Sequence, residues 1–234
     1  MNLLEVDNLK VRYGSFEAVR GVSLSLGQSE IVGIVGESGS GKSTLAKVLI
    51  GLEKASSGKV DFFSAVSGEK PSLQMIFQDA VGSLNPRMTV SQTLNEIIAV
   101  SRSTYKASEL LELVGLSEAV LAQYPREMSG GQCQRVSIAR ALACRPDILI
   151  ADEPVSALDV SVQARILNLL RDLRKQMNLS ILLVAHDLAV VKNVCDRVYV
   201  MERGLFVDSG ETCKVFNEPT SQYTKKLLSA VPTL

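Results

Sequence analysis

The sequence predicts an α/β fold: a mainly parallel sheet, an N-terminal antiparallel β subdomain and a helical insert. Three observations lead to this prediction. An unbroken β-branched run, IVGIV at 31–35, is typical of a strand covered on both faces. A glycine-rich turn and a helical pattern follow it directly. Two further apolar runs, DILIADEP at 147–154 and SILLVAHD at 180–187, alternate with helical patterns, as expected of a buried parallel sheet.

The first elements of the chain are predicted to be strands. LEVDNLKVRY and VRGVSLSL alternate apolar and polar residues, the period-two pattern of half-buried strands, and so predict an antiparallel pair. Two more strand candidates, SGKVDFF and LQMIFQ, follow the glycine-rich turn and its helix.

Helical periodicity then replaces the strand pattern. TVSQTLNEIIAV, ASELLELVGL and SEAVLAQYP predict a helical insert over residues 79–135, and helices are also predicted at QCQRVSIARALACRP and SVQARILNLLRDLRKQMN. RVYVMERGLFVDSG predicts a hairpin turning at Arg203–Gly204, and VFNEPTSQYTKKLLSAV predicts C-terminal helices. We expect one domain over 1–234, with its core at 1–78 and 136–215 and a tail helix at 216–234.

Composition limits the classes of function. The 234 residues suit one large α/β domain, and 25 Lys and Arg balance 25 Asp and Glu, which argues against a nucleic-acid partner. No apolar run approaches the ~20 residues of a membrane-spanning helix. The start resembles no secretory signal, so the mature chain is expected to begin at or near Met1. The four cysteines have no metal-site spacing and are expected to be reduced thiols: Cys133, Cys144, Cys195 and Cys213.

The glycine-rich turn satisfies the phosphate-loop pattern G-x-x-x-x-G-K-[ST]. Its backbone N–H groups can surround the α and β phosphates of ATP, Lys42 can reach the β and γ phosphates, and the Ser43 hydroxyl can ligate Mg²⁺. The positive end of the following helix adds to this anion site. An ordinary glycine-rich turn is the alternative, but the flanking strand and helix disfavour it. The expected nucleotide-binding residues are Gly36, Glu37, Ser38, Gly39, Ser40, Gly41, Lys42, Ser43 and Thr44.

Two carboxylates and the single histidine follow apolar strands. Asp152 is expected to hold magnesium through its water shell, and Glu153 to orient or deprotonate the attacking water. A solvated acidic turn is the alternative, and the phosphate loop in the same chain makes it less attractive. His186 follows ILLVA at the carboxyl end of a strand, where parallel sheets form their ligand crevice. This position favours a sensor of the γ-phosphate over a structural histidine.

A second anion-binding device is predicted at MSGGQCQR, residues 128–135. Ser129, Gly130 and Gly131 offer a hydroxyl and accessible backbone amides at a helix start. One nucleotide cannot easily use this device and the phosphate loop of the same chain. We therefore infer that the helix end contributes to a site completed by another subunit, with a simple helix cap as the alternative.

From about Leu3 to Val231 the chain resembles the ABC ATPase family. The motifs match in order: Tyr13 at the adenine-stacking position, GESGSGKST, Gln78 in IFQD, MSGGQ, ILIADE, SALD ending in Asp159, and His186. The resemblance implies a head-to-tail dimer in which ATP lies between one chain's phosphate loop and the segment 129–132 of the other, from Ser129 to Gln132. It also implies that Gln78 joins the magnesium ligands and links the nucleotide to a membrane partner, and that Asp159 lies at the subunit contact.

The resemblance also indicates a branch of the family. QMIFQDAVGSLNPRMTV and FNEPTSQYTKKLLSAVP look like ATP-binding subunits of oligopeptide, dipeptide, nickel and metallophore importers. Ala80–Val81 replace the usual Pro-Tyr of that branch, and Ser221–Gln222 replace its His-Pro. The short segment between Ser57 and Gln78 and the early end of the chain fit the nickel or metallophore type better than the peptide type.

The function implied by the resemblance is an ATP-hydrolysing motor for uptake of peptides, nickel or a metal–metallophore complex. Its expected partners are a second ATPase subunit, identical or related, two integral membrane permeases and an external solute-binding protein. Its expected place is the cytoplasmic face of the inner membrane. An exporter motor remains an alternative. A soluble ABC ATPase of DNA repair or translation is a weaker one, because such proteins usually carry long inserts or two motor domains.

Overall fold

Two sheets organise the chain in the computed structural model, which describes residues 1–63 and 71–229. The last residues of the predicted tail helix, 230–234 with Val231 among them, lie outside the described part. The smaller, antiparallel sheet has the order β2-β1-β4 and consists of β1 (Asn2–Tyr13), β2 (Phe16–Gly27) and β4 (Ser57–Phe62). The larger sheet has the order β5-β6-β7-β3-β8-β9 and consists of β3 (Ile31–Val35), β5 (Leu73–Ile76), β6 (Ile148–Asp152), β7 (Ser180–Ala185), β8 (Arg197–Glu202) and β9 (Leu205–Glu211).

The larger sheet confirms the predicted fold class. Its first five strands run parallel, and only β9 is antiparallel to its neighbour β8. The hairpin expected at Arg203–Gly204 is the β8–β9 turn. Every residue of β3, β6 and β7 is buried, as their unbroken apolar runs predict.

Strand register brings the expected site residues to one edge of this sheet. Val35 pairs with Ala185, and Asp152 pairs with Val184. The segments that leave β3, β6 and β7 therefore start side by side at the carboxyl edge, where an open parallel sheet forms its ligand crevice.

Eight α-helices surround the sheets in the described residues: α1 (Lys42–Leu49), α2 (Val90–Ser101), α3 (Ala107–Leu113), α4 (Gly130–Leu142), α5 (Val160–Met177), α6 (Leu188–Lys192), α7 (Thr212–Asn217) and α8 (Gln222–Ser229). The segment SEAVLAQYP was expected to be α-helical, but it forms a short 3₁₀ helix, Glu118–Ala122, followed by another at Pro125–Glu127. Pro125 disfavours the helical conformation at the preceding residue, Tyr124, which is extended with a ψ of 156°, so the first helix ends before it.

Two apolar cores lie on opposite faces of the larger sheet. Along β3, Ile31 and Val35 belong to the core that contains α4, α5 and the insert, whereas Val32 and Ile34 belong to the core that contains α1 and the antiparallel sheet. Alternation of side chains along a strand causes this division. The sheet is thus held rigidly from both sides, which fixes the positions of the loops at its edge.

Two further expectations concern the cysteines and the length of the helices. The four cysteines are free, in agreement with the expected reduced thiols. Within residues 1–63 and 71–229, no helix has the length and apolar character that crossing a membrane would require.

Candidate nucleotide-binding and catalytic site

The glycine-rich turn forms a loop between β3 and α1. Gly39 and Gly41 have φ angles of 80° and 110°, a region that glycine adopts without steric cost. A Cβ atom at Gly36 would collide with the carbonyl oxygen of Met201, and one at Gly41 with that of Ala18. The glycines of the motif are therefore required both for the backbone conformation and for close packing against β8 and β2.

Lys42 lies buried inside this loop. Its Nζ donates hydrogen bonds to the carbonyl oxygens of Gly36, at 2.7 Å, and Glu37, at 3.0 Å. Burial lowers the pKa of Lys42, and the nearby carboxylates of Glu153 and Asp152 oppose this change. The ammonium group thus already points into the loop, where a phosphate could replace the carbonyl oxygens.

Ser43 and Asp152 form the second pair of the site. The Ser43 hydroxyl donates a hydrogen bond of 3.0 Å to Asp152 Oδ1. Burial raises the pKa of Asp152, while the Ser43 hydrogen bond opposes the rise. A hydroxyl and a carboxylate at hydrogen-bond distance are hard oxygen donors of the kind that Mg²⁺ prefers, so these residues fit the expected ion.

Glu153 and His186 form the third pair. Glu153 leaves β6 with a φ of 47°, and its N–H donates to the carbonyl oxygen of Val184. Its Oε2 lies 3.3 Å from Nδ1 of His186. The Glu153 side chain is 12% exposed and that of His186 49%, so the carboxylate lies inside the crevice and the imidazole at its rim. A carboxylate in this position can accept a proton from a water molecule above the loop.

Gln78 connects the end of β5 to the same edge. Its Nε2 lies 3.4 Å from Ser156 Oγ, and that hydroxyl donates to the carbonyl oxygen of Glu153. Sequence reasoning missed Ser156, although it is the first residue of the SALD motif. Gln78 is thereby held beside Glu153, with its carbonyl oxygen available to a ligand.

A cleft of about 370 Å³ extends from the loop to the antiparallel sheet. It is lined by Tyr13, Phe16 and Ala18, by six residues of the segment 38–44, and by Gln78 and Glu153. Tyr13 is 45% exposed and Phe16 63% exposed. Exposed aromatic rings beside a phosphate loop suit stacking on a nucleobase. Sequence reasoning missed Phe16. The available signal was its position directly across the β1–β2 turn from Tyr13.

The predicted second anion device lies outside this cleft. The Ser129 hydroxyl accepts the N–H of Gln132, and the Gln132 side chain accepts the N–H of Ser129, which together form a capping box at the start of α4. A Cβ atom at Gly131 would lie 2.6 Å from Val162 on α5, and one at Gly130 would lie 3.3 Å from Leu158. In the single chain the motif is therefore a helix cap packed closely on the start of α5.

Asp159 caps α5 beside this motif. Its Oδ1 accepts hydrogen bonds from the Ser161 hydroxyl and the Val162 N–H, and these bonds lower the pKa of Asp159. The next residue, Val160, is 81% exposed. The structure thus collects the loop, Asp152, Glu153, His186 and Gln78 at one edge, and places Ser129 to Gln132 together with Asp159 elsewhere on the surface.

Comparison with known proteins gives a consistent result. A family model described as ABC transporter matches residues 19–156. The oligopeptide transport ATP-binding protein OppF of Salmonella typhimurium is 45% identical over 98% of this chain and 78% of its own length. OppF of Lactococcus lactis subsp. lactis is 42% identical over 99% of this chain and 81% of its own length. The putative oligopeptide transport ATP-binding protein YkfD of Bacillus subtilis is 44% identical over 98% and 76%.

Solved structures show the same fold. The ADP conformation of MJ1267, an ATP-binding cassette of an ABC transporter, superposes with a TM-score of 0.81 at 27% identity, covering 99% of this chain and 100% of that one. The dimeric post-hydrolysis state of the ATP-binding cassette MJ0796, bound to ADP and Pi, gives a TM-score of 0.75 at 28% identity, covering 89% and 98%.

Proposed function

This chain belongs to the ABC transporter family, and we propose that it is the ATP-binding and ATP-hydrolysing motor subunit of an importer of peptides. The relatives OppF and YkfD are named for oligopeptide transport, and the similarity extends over nearly the whole chain. The short segment between Ser57 and Gln78 favours a nickel or metallophore importer, but the names of these relatives give that alternative no support. Import rather than export rests on the GSLNPRMTV and QYTKKLLSAVP resemblances.

The observation that carries the proposal is that three sets of contacting residues lie at one sheet edge. Lys42 faces the loop carbonyls, Ser43 bonds to Asp152, and Glu153 approaches His186. Phosphoryl transfer to water needs a cation against the phosphates, a site for Mg²⁺ and a positioned base. These sets offer all three.

The proposed roles follow from these positions. Lys42 and the loop amides hold the β and γ phosphates, while Tyr13 stacks on the base. Ser43, Asp152 and Gln78 would hold Mg²⁺, which when bound neutralises charge on the phosphates. Glu153 holds the attacking water and accepts its proton. His186, at the rim of the crevice, keeps the Glu153 carboxylate in place and senses the γ-phosphate.

The proposed assembly is a head-to-tail dimer. Ser129 to Gln132 of one chain would complete the nucleotide site of its partner, and Asp159 would lie at the contact. The adjacent starts of α4 and α5 support this arrangement, because Ser129 is exposed and Val160 is 81% exposed. The structural relative MJ0796 is dimeric in its post-hydrolysis state and so offers a precedent for such an assembly. Identical and related partner chains are both compatible with these observations.

The proposed complex also contains two membrane permeases and an external solute-binding protein, with this chain at the cytoplasmic face of the membrane. We propose that the helical insert, residues 79–135, passes movement from the core at 1–78 and 136–215 to the permeases. The tail at 216–234, of which 230–234 lie outside the described residues, forms the rest of the domain.

Growth on peptides tests the proposal. A deletion strain auxotrophic for one amino acid should fail to grow when that amino acid is supplied in a peptide and should grow normally when it is supplied free. Complementation with the parent gene should restore growth, whereas complementation with a Lys42→Ala gene should not. Unimpaired growth on peptides together with loss of a nickel-dependent enzyme activity would instead favour the nickel alternative.

A further inference from the structure

The C-terminal helix contacts the outer side of the phosphate loop. The backbone N–H of Glu37 donates a hydrogen bond of 3.0 Å to the hydroxyl oxygen of Tyr223, in the first turn of α8. The two residues are 186 positions apart in the sequence. A cavity of about 560 Å³ lies beside this contact, with loop residues on one wall and Gln222, Tyr223 and Lys226 on the other.

The position of Tyr223 is fixed by the edge of the larger sheet. Asp208, on β9, accepts the N–H groups of Thr220 and Ser221 at 2.9 and 3.2 Å. The Ser221 hydroxyl in turn accepts the N–H of Tyr223. Hydrogen bonds of this type at a helix start order its first turn. The tyrosine is therefore held by the strand pair β8–β9.

The same strand pair holds the loop at a second point. Gly204, in the β8–β9 turn, donates its N–H to the carbonyl oxygen of Ser40 at 2.8 Å. The N–H of Ser40 lies 3.2 Å from the carbonyl oxygen of Glu37. The outer surface of the loop is thus attached to β8–β9 directly through Ser40 and indirectly, through α8, at Glu37.

The backbone of Glu37 makes hydrogen bonds on both sides of the loop. Its carbonyl oxygen accepts a hydrogen bond from Lys42 on the inner side, and its N–H donates to Tyr223 on the outer side. If Lys42 turns to a phosphate when nucleotide binds, its hydrogen bond to the Glu37 carbonyl oxygen breaks. The hydrogen bond from the Glu37 N–H to Tyr223 can remain, because the tyrosine lies behind the loop.

We propose that Tyr223 is a positioning residue for nucleotide binding: its hydroxyl holds the Glu37 peptide, and so keeps the phosphate loop in the shape that receives ATP. This inference rests on the proposed function, since it assigns ATP to the loop. The tail helix is then part of the nucleotide site without touching nucleotide. Burial raises the pKa of Tyr223, and the Glu37 N–H opposes the rise. The hydroxyl is therefore neutral at physiological pH.

The tyrosine ring has a separate, structural role. Tyr223, Leu227 and Leu228 pack against the larger apolar core, so removal of the whole side chain would loosen α8. Tyr223→Phe keeps the ring and removes only the hydroxyl. Tyr105→Phe is the matched control, because Tyr105 also packs against that core, and its ring lies 4.8 Å from the guanidinium carbon of Arg145 in the region of the insert.

Equilibrium binding of ATP to the purified full chain tests the inference. Tyr223→Phe should weaken ATP about two- to tenfold, the effect of losing one net hydrogen bond. Tyr105→Phe should not change the affinity. In the assembled transporter, Tyr223→Phe should raise KM for ATP by a similar factor and leave kcat within about twofold, because binding before reaction is what changes. Without nucleotide, the thermal midpoint of Tyr223→Phe should lie no more than about 4 °C below that of the control, the effect of losing one net hydrogen bond.

Other results would overturn the inference. An ATP affinity of Tyr223→Phe equal to that of the parent would show that the hydroxyl holds nothing of consequence. An equal loss of affinity in both phenylalanine variants, or a thermal midpoint lowered by more than about 4 °C together with reduced kcat, would show a merely structural role. If the parent binds ATP no better than Lys42→Ala, the proposed function itself fails, and the role of Tyr223 fails with it.

Discussion

The carboxylate of Glu153 and the imidazole of His186 lie 3.3 Å apart, each on the first residue after its strand, β6 and β7 respectively. β6 and β7 are neighbours in the sheet, and the N–H of Glu153 bonds to the carbonyl oxygen of Val184. The two side chains therefore occupy positions that the strand register fixes. A fixed position of this kind suits Glu153 to its proposed role as the base that activates water.

Replacement of Glu153 tests its role as the base. Glu153→Gln keeps the size of the side chain, so ATP binding should persist while hydrolysis slows by roughly 10² to 10⁴. The ATP-bound dimer should then accumulate. Single-turnover hydrolysis and size-exclusion chromatography with ATP measure the two effects. Glu118→Gln, an exposed change in the insert, serves as the control. Full turnover in Glu153→Gln would contradict this role and move it to His186.

Replacement of Lys42 tests the phosphate loop. Lys42→Ala should weaken ATP by at least about 10²-fold, because hydrogen bonds from a charged group contribute about 1.5–3 kcal/mol each. Titration with ATP measures the loss. Lys47→Ala, an exposed lysine on the same helix α1, should bind ATP as the parent does. An unchanged affinity in Lys42→Ala would contradict the assignment of the loop.

Asp152 provides a prediction for stability. Because burial raises the pKa of Asp152, its ionised form destabilises the nucleotide-free fold at pH values above that raised pKa. Stability from this group should increase as the pH falls through the raised pKa toward the ordinary one. Asp152→Asn should therefore raise the free energy of unfolding at pH 7 and remove this part of the pH dependence.

Chemical denaturation at pH 7 and pH 5, without nucleotide, measures the effect of Asp152→Asn. Asp172→Asn, an exposed change on α5, is the control. A loss of stability at pH 7 in Asp152→Asn alone would show that the carboxylate stabilises the empty site. ATP hydrolysis should fall in Asp152→Asn, because the negative charge that would hold Mg²⁺ is lost.

Ser129 tests the shared site. Ser129→Arg places bulk and charge at the proposed dimer contact, so hydrolysis should be suppressed while ATP binding to the monomer survives. It also removes a helix cap, which costs about 1 kcal/mol of stability. Ser117→Arg controls for this cost, since Ser117 caps the 3₁₀ helix Glu118–Ala122 and is also exposed. If Ser129→Arg weakens monomer binding as severely as Lys42→Ala, the motif acts within its own chain and the shared site is wrong.

Mixing variants gives a second test of the shared site if the chain forms homodimers. A dimer of Ser129→Arg with Lys42→Ala has one site carrying both defects and one site carrying neither. Part of the activity absent from each variant alone should then return. A mixture of Ser129→Arg with Glu118→Gln is the control, because both chains then keep Lys42. The difference in activity between the two mixtures measures the contribution of the second phosphate loop.

The sequence was informative where one motif follows one strand. IVGIV, ILIAD and SILLVA are buried strands, and their order of pairing brings the loop, Glu153 and His186 together. Parallel strands between helices leave few arrangements, so the positions of these residues could be predicted. The hairpin turn at Arg203–Gly204 followed from local turn chemistry.

The sequence was uninformative where distant segments meet. The pairing of β4 with β1 was not predicted, because no local signal states which strand a third strand joins. α6 escaped notice, since its five residues are too short for helical periodicity. The contact between Glu37 and Tyr223 joins residues 186 positions apart and depends on the strands that lie between them in sequence.

The capping box at Ser129 has a consequence for the pace of the motor. The Ser129 oxygen accepts the Gln132 N–H, and a hydroxyl that accepts one hydrogen bond can still donate its own proton outward. In the proposed dimer, the segment 129–132 would therefore need no reordering before it meets a partner's nucleotide. Preorganised surfaces avoid the entropy loss of ordering at each encounter. In the proposed dimer, association of two such chains would therefore not have to wait for local refolding of this helix start.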